Sequence, residues 1–478
     1  MISDPVLVWL REDLRLSDNP ALRHAADTGR PVVCLYVLDD ETPGPWAMGG
    51  AQRWWLHHSL RTLQEAINKI GGVLILKRGR GEEVVPEVCK ELAATAVYWN
   101  RRYMSWQIEQ DKGLKAALSD DGVDVESFNG RLLNEPWTIK TKTGGPYRVY
   151  TPYWKQVQTL DLEDAIPAVR KLKAPSPLPA SDDLVSWNLL PTNPNWAAGF
   201  EPIWEPGEAA ALRRWRAWVK TYAGRYNSER NRPDLDSTSR MAPHIHFGEI
   251  SIKMMYRDVS ALMADGAIDA EEGKTFLSEL VWREFSYHLL FYNPDMFDLP
   301  LNKKFTEFSW ENSDRYFEAW TKGMTGYPIV DAGMRQLYQE GHMHNRVRMI
   351  VGSFLVKDLL VDWRRGMAWF WDTLVCADAA ANTASWQWVA GCGADAAPFF
   401  RVFNPVTQGE KFDPDGAYVR RHVPELAHVP AKHIHAPWKA PKDVLEQAGV
   451  RLGDSYPEPM VDHARMREEA LSRYQAIK

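Results

Sequence analysis

The chain has 478 residues, with 57 Lys and Arg against 63 Asp and Glu and a formal net charge of −6. At about 100–200 residues per domain this allows two to four domains and a large core. The charge excludes a histone-like polycation but not a local basic groove. Cys34, Cys89, Cys376 and Cys392 form no CxxC pair and are too sparse for a disulfide scaffold, so a reduced, cytoplasmic setting is expected. Asp4 and Pro5 stand where a signal peptide carries a basic region, and no uncharged apolar run reaches the roughly 18 residues of a membrane span. Tryptophan is the unusual residue. The chain has 22, beside 17 Tyr and 16 Phe, which asks for an aromatic core or for chemistry that uses aromatic rings.

Residues 1–135 read as α/β. Val6–Leu10, Val32–Leu38, Val73–Leu76, Ala96–Trp99 and Val123–Phe128 are short apolar runs between helical stretches such as Trp54–Lys69 and Glu82–Ala93. That alternation predicts a parallel sheet with helices on both faces. Neither GxGxxG nor GxxxxGK[ST] follows the first strand. Residues 136–208, rich in Pro, Asp and Ser towards their end, read as a long interdomain linker. Residues 209–478 read as an all-helical domain, with three- and four-residue apolar spacing in Lys274–Tyr292, Asp331–Gln339, Asn345–Leu360 and Met367–Val375.

Four clusters could carry chemistry. Ser237, Thr238, Ser239 and Arg240 precede a helix start and suit a diphosphate, although an ordinary helix cap explains them as well. Glu279, Trp282 and Arg283 share a helical face that could recognise a flat polar ligand; a surface ion pair is the plainer reading. Asn345, Arg348, Met349 and Gly352 form a polar stripe opposite Ile350, Val351, Phe354 and Leu355, a ligand wall or a solvated face. Asp378, Asn382 and Trp386 recur every four residues on one face. No Cys/His cluster at ligand spacing supports a metal site, and no GxSxG supports a serine nucleophile.

Together these segments resemble the photolyase/cryptochrome family, nearly end to end. The likeness runs from WLREDLRLSDNPAL (Trp9–Leu22) through TSRMAPHIHFGEIS (Thr238–Ser251), ELVWREF (Glu279–Phe285), TGYPIVDAGMRQL (Thr325–Leu337) and HNRVRMIVGSFLVKDLLVDWRRG (His344–Gly366). It ends with WQWVAGCGADAAPFFRVFNP (Trp386–Pro405) and QGEKFDPDG (Gln408–Gly416). The chain looks most like microbial cyclobutane pyrimidine dimer photolyases. HFGEIS (His246–Ser251), similar to plant cryptochromes, hints at the branch called class III.

The resemblance implies a Rossmann-like N-terminal antenna domain and FAD held in the helical C-terminal domain. Tyr226, Thr238, Ser239, Arg240 and Met241 match positions around its diphosphate. Phe276, Arg283, Asn345, Arg348, Asp378 and Asn382 match positions around its other parts, and Asn382 matches the residue facing flavin N5. Plant cryptochromes carry an acid there, so the amide favours repair over sensing. The substrate side matches Glu279, Trp282, Asn345, Met349 and Trp388. Trp282 and Trp388 are expected to wedge the dimer, and Glu279 to hydrogen-bond a pyrimidine carbonyl and stabilise incoming negative charge. Arg230, Arg401 and Lys411 are candidates for DNA phosphates. The implied chemistry is light-driven electron transfer from reduced FAD to a pyrimidine dimer in DNA. Trp386, Trp363 and Trp310 match a hopping chain that reduces oxidised flavin, while Trp369 and Trp371 read as core or a side branch.

Two departures stand out. Cys376 replaces an Asp that pairs with the arginine matching Arg348, and Ala242 replaces a serine near the diphosphate. The branch implies a methenyltetrahydrofolate antenna. Trp106 and Gln107 stand where one folate-binding group has Asn and Glu, and the loop Glu41–Ala51 could wall a pocket. A cryptochrome-type photoreceptor is the alternative. The chain ends near Lys478 without a long polar tail, which argues against it. A (6-4) photolyase is disfavoured because Asn345 stands where that branch has a histidine. The expected partner is dimer-containing DNA, with no membrane and no obligate protein partner, and the expected state is a monomer.

Overall fold

The computed structural model describes residues 4–396 and 400–478, so part of the Trp386–Pro405 motif lies outside the described residues. Five strands, β1 (Val6–Leu10), β2 (Val32–Leu38), β3 (Leu74–Arg78), β4 (Ala96–Asn100) and β5 (Asp124–Phe128), form one parallel sheet. Its order is β3-β2-β1-β4-β5, with Val6 opposite both Val32 and Ala96. β1 and β2 are buried at every residue, as a sheet covered on both faces requires. Val6, Val8 and Leu10 face α1 (Pro20–Asp27) and α2 (Gly50–Lys69). Leu7 and Trp9 face α3 (Gly81–Glu91) and α4 (Ser105–Asp120), the period-two alternation of a strand.

The stretch 136–208 is not a free tether. It contains α5 (Tyr150–Val157), and its aromatic residues enter two cores. Trp187, Phe200 and Trp204 pack on the α2 side of the sheet, while Tyr150 and Tyr153 join the helical core.

The principal helices beyond are α6 (Glu208–Tyr222), α7 (Ala270–Tyr292), α8 (Pro328–Glu340), α9 (Asn345–Ser353), α10 (Trp363–Thr373), α11 (Ala379–Ala390) and α12 (His463–Ala476). The apolar spacing predicts one continuous helix over Asn345–Leu360. Instead α9 ends at Ser353, and Phe354–Asp358 follows as a π-helix. The wider turn carries two charged side chains inward. Asp358 Oδ1 lies 2.5 Å from His463 Nδ1 on α12, and Lys357 donates to the carbonyl of Arg401.

The two halves share a core. Phe247 and Val375 of the helical half sit among the sheet residues on the α2 side. Leu14 N–H donates to Phe247 O at 3.1 Å, and Arg15 Nη1 donates to Gly248 O at 2.9 Å. Gly248 has φ +66°, and a Cβ there would collide with Glu12 O, so only glycine fits this close approach. HFGEIS is therefore a joint between the halves. Among the described residues no helix is long and apolar enough to cross a membrane.

Candidate active site in the helical domain

A cavity of about 540 Å³ opens among α7, α9, α10 and α11. It gathers most of the residues singled out from the sequence. Tyr226, Ser239, Met241 and Phe276 line one part, and Arg283, Arg348, Asp378, Asn382 and Trp386 another. Glu279, Trp282, Asn345, Met349, Trp388 and Arg230 line it too. Thr238 and Arg240 belong to the same turn as Ser239 but are not in the wall. Arg240 has φ +52° and pairs with Asp236 at 2.9 Å. Arg401 stands apart in a small recess with Lys357, Trp388 and Phe403. Lys411 is exposed, with its Nζ 5.2 Å from the Phe412 ring.

Local structure explains how each wall is presented. Trp215 and Trp218 on α6 stack at 5.3 Å and pack against Phe276, and Trp218 Nε1 donates to Ser237 O at 2.9 Å. This fixes the turn that carries Ser239. His344 caps α9, its Nδ1 accepting from Arg346 N–H at 3.2 Å. That role requires an unprotonated ring nitrogen. Burial, reinforced by Arg348 and Arg346, pushes the His344 pKa down to about 3. Asp378 caps α11 through Ala381 N–H at 2.9 Å and accepts from Tyr287 Oη at 2.6 Å. Burial alone would raise its pKa, but Arg283 and Arg131 reverse the direction and hold it below the usual range. Arg131 also meets Glu12, so the sheet half braces the cap of α11.

Three groups are poised for a ligand. Asn382 Nδ2 donates to Met367 O at 3.1 Å, which fixes its amide and leaves Oδ1 as the free acceptor. Arg283 is 3.9 Å from Asp378, and its buried Nη2 has no hydrogen-bond partner among the described residues. Arg348 donates Nε to Met343 O at 2.8 Å and Nη2 to Cys376 Sγ at 3.4 Å. So Arg348 meets residue 376 through its sulfur. Arginines and a serine hydroxyl beside the apolar faces of Phe276, Leu280 and Phe370 suit a ligand with phosphates and flat rings, as FAD is.

Glu279 Oε1 lies 2.5 Å from Arg230 Nη1, so Arg230 is engaged with this carboxylate. Glu279 lines the cavity beside Trp282, where the sequence places the pyrimidine contact. Gly366 leaves the room that the Trp386 ring fills, which sets Trp386 on the helix that begins at Trp363. Trp363 is buried, whereas Trp310 is partly exposed and packs on Phe308 at 4.4 Å. Trp386 has other aromatic neighbours, Phe370 at 5.0 Å and Trp320 at 6.2 Å. From Trp320 the rings continue through Phe317 at 5.9 Å to half-buried Trp369. Trp371 packs instead on Trp46 and donates to Ala47 O.

Several residues of the site carry no plain signal in the sequence. His246 lines the cavity, its Nε2 on Gln52 of α2 and its Nδ1 unpartnered. Arg346 holds Asn231 at 2.7 Å and lies near Arg230, adding charge at the mouth. Tyr150 stacks on Trp282. The histidine doublet in HIHFGEIS is a signal for His246, but nothing in the spacing marks Tyr150.

A parallel-sheet domain beside a helical domain with this cavity defines a class of two-domain FAD-binding proteins. A family profile described as "DNA photolyase" matches residues 6–175, and one described as "FAD binding domain of DNA photolyase" matches residues 276–476. A deoxyribodipyrimidine photo-lyase of Agrobacterium fabrum is 51% identical over 99% of this chain and 98% of its own. Cryptochrome-1 of Arabidopsis thaliana is 36% identical over 98% of this chain and 70% of its own. A bacterial class III photolyase from Agrobacterium tumefaciens superposes with TM-score 0.96 at 50% identity, covering 100% of this chain and 98% of that one. An archaeal photolyase from Sulfolobus tokodaii, described with two FAD molecules, gives TM-score 0.83 at 29% identity, covering 99% of this chain and 100% of that one. The chain belongs to the DNA photolyase family.

Proposed function

We propose that the protein is a deoxyribodipyrimidine photo-lyase that repairs cyclobutane pyrimidine dimers in DNA under blue light. The observation that carries this reading is one cavity holding Trp282, Trp388, Glu279, Asn345 and Met349 together with Asn382. FAD in its reduced form supplies the light-driven electron that splits the dimer. The side chains bind and position. A dimer must leave the duplex to enter. Trp282 and Trp388 offer apolar faces to its fused rings, each worth about 1–3 kcal/mol by analogy with base stacking. Glu279 is read as hydrogen-bonding the pyrimidine and stabilising its incoming negative charge, and Arg230 keeps positive charge beside it. Asn382 presents its Oδ1 to the flavin N5–H, which an acid at this position would meet with a full charge. Arg346, Arg401 and Lys411 are read as candidates for DNA phosphates. Reduction of oxidised flavin is read as hopping through Trp386, Trp363 and Trp310.

The antenna is read as methenyltetrahydrofolate. Trp106 supports this, being half-buried with an unpartnered indole N–H and Arg102 5.3 Å from its ring. Gln107 is already engaged with Met104 N–H and Glu12. Trp106→Ala is expected to remove a near-ultraviolet absorption band while the flavin bands stay. The protein is further read as a cytoplasmic monomer, with domains over 1–135 and 209–478 and a connecting segment between them.

The deciding experiment illuminates reduced, FAD-loaded protein with an oligonucleotide carrying one thymine dimer. Blue light is expected to restore intact thymines, with no repair in the dark. Dimers left intact under illumination would end the enzyme reading and favour a photoreceptor.

A further inference from the structure

We propose that Tyr150 and Asp395 form a positioning clamp that holds Trp282 and the loop after Trp388 in register for a flipped-out pyrimidine pair; the proposal rests on the photolyase reading of the cavity. Tyr150 opens α5 and comes from the segment between the two halves. Its ring lies 3.6 Å from that of Trp282 with the planes 8° apart, and Phe285 meets it edge-on at 5.8 Å. Trp282 lines the cavity and Tyr150 does not, so the stack covers the indole on its far side.

The phenol of Tyr150 donates to Ser278 O at 2.7 Å, with Ser278 Oγ also at 2.7 Å. Ser278 directly precedes Glu279. One tyrosine thus holds the turn of α7 that presents both Glu279 and Trp282. Its backbone reaches the opposite wall, because Tyr150 N–H donates to Asp395 Oδ2 at 2.6 Å. Asp395 follows α11, the helix of Asn382 and Trp388, and has φ +56°. A non-glycine residue in that region is uncommon and persists where surrounding contacts dictate it. Here the dictating contact is a carboxylate on an otherwise orphan N–H at the start of α5.

The functional consequence is pre-organisation. A half-exposed indole with two free faces samples several rotamers and must be ordered when a ligand arrives, whereas a stacked and tethered one presents its free face beforehand. Undamaged DNA, which offers no flipped pyrimidine pair, does not use that face. The clamp therefore acts on discrimination rather than on overall DNA affinity.

The test measures Kd for an oligonucleotide with one thymine dimer and for its undamaged counterpart, using full-length FAD-loaded protein, with flavin absorbance and thermal midpoint as controls. Tyr150→Leu and Asp395→Ala are each expected to reduce the dimer-to-undamaged preference about 2- to 10-fold, the range of one aromatic contact. Tyr150→Phe, which keeps the ring, is expected to restore it. A wild-type preference in Tyr150→Leu overturns the clamp, as does a loss in Tyr150→Phe equal to that in Tyr150→Leu. If Tyr150→Leu does not fold, the half-exposed Asp395→Ala decides by the same criterion. A wild-type protein with no preference for the dimer would overturn the photolyase reading itself, which separates the two failures.

Discussion

At position 376, which the sequence reading takes as a departure from the family's pattern, a cysteine stands beside an arginine of the flavin cavity. Arg348 lines that cavity, and its hydrogen-bond partners, Met343 O and Cys376 Sγ, are both uncharged. A guanidinium without a carboxylate partner favours a negatively charged ligand beside it. Cys376→Asp supplies that carboxylate and neutralises the local field. The flavin midpoint potential is expected to become more negative by about 20–40 mV, which corresponds to about 1–2 kcal/mol for a two-electron couple. Cys376→Ser, uncharged like the thiol, is expected to leave the potential within about 10 mV of wild type. Spectroelectrochemical titration of the three proteins checks both. Equal potentials in Cys376→Asp and wild type would mean that Arg348 does not sense residue 376 electrostatically. Asn382 argues in the same direction, since its committed Nδ2 leaves a neutral acceptor facing the cavity.

Helices and strands differ in how plainly the sequence announces them. The inner strands β1, β2 and β4 are legible because burial on both faces makes each a near-continuous apolar run. The π-turn at Phe354–Asp358 is not, because a helix with one widened turn keeps the apolar spacing that predicts a regular one. Most of the cavity wall is legible from stripes on α7, α9 and α11. Tyr150 is not, because its partner Trp282 lies 132 residues away and stacking leaves no local period. The second aromatic route from Trp386 is hidden for the same reason. Trp320 sits on no polar stripe, is fully buried, and meets Trp386 only through the fold. Rings at 5–6.5 Å from Trp386 to Trp320, Phe317 and Trp369 offer a path parallel to the one ending at Trp310. Trp310→Phe is therefore expected to slow flavin photoreduction without abolishing it, and Trp310→Phe/Trp320→Phe to slow it further. Both variants, when chemically reduced beforehand, are expected to repair dimers at the wild-type rate. Transient absorption after a blue flash reads the first effect, and a double variant no slower than Trp310→Phe would remove Trp320 from the route.

The whole molecule is held together across its two halves by buried polar groups, and these set its response to pH. Glu284 on α7 accepts N–H groups from Leu133 at 2.8 Å and Asn134 at 3.3 Å, which ties the end of the sheet half to the helical half. Burial raises its pKa to about 7, against the ordinary glutamate value of 4.5. The folded state then holds this proton more tightly than the unfolded chain between about pH 4.5 and 7, so stability from Glu284 falls as pH rises through that window. Asp358, raised to about 6 by burial, acts the same way. Histidines act oppositely. Burial lowers His246 and His344 to about 3, and His58, His288 and His422 to about 4. The unfolded chain protonates these rings near pH 6.5, well before the folded state does, so stability from them is lost as pH drops below about 6.5. In all, eight histidines are lowered by burial against five acids raised by it, and the thermal midpoint is expected to fall between pH 7 and pH 5. Glu284→Gln separates the two effects. The amide keeps an acceptor for the Leu133 and Asn134 N–H groups but cannot ionise. It is expected to raise the thermal midpoint by about 1–3 °C at pH 8, where Glu284 is a buried anion. At pH 5, where the folded protein already carries the neutral acid, it is expected to change nothing. Differential scanning calorimetry at the two pH values reads the contrast. An increase of equal size at both would show that the gain comes from packing rather than from the removed charge, and the joint between the halves would then not be the titrating element.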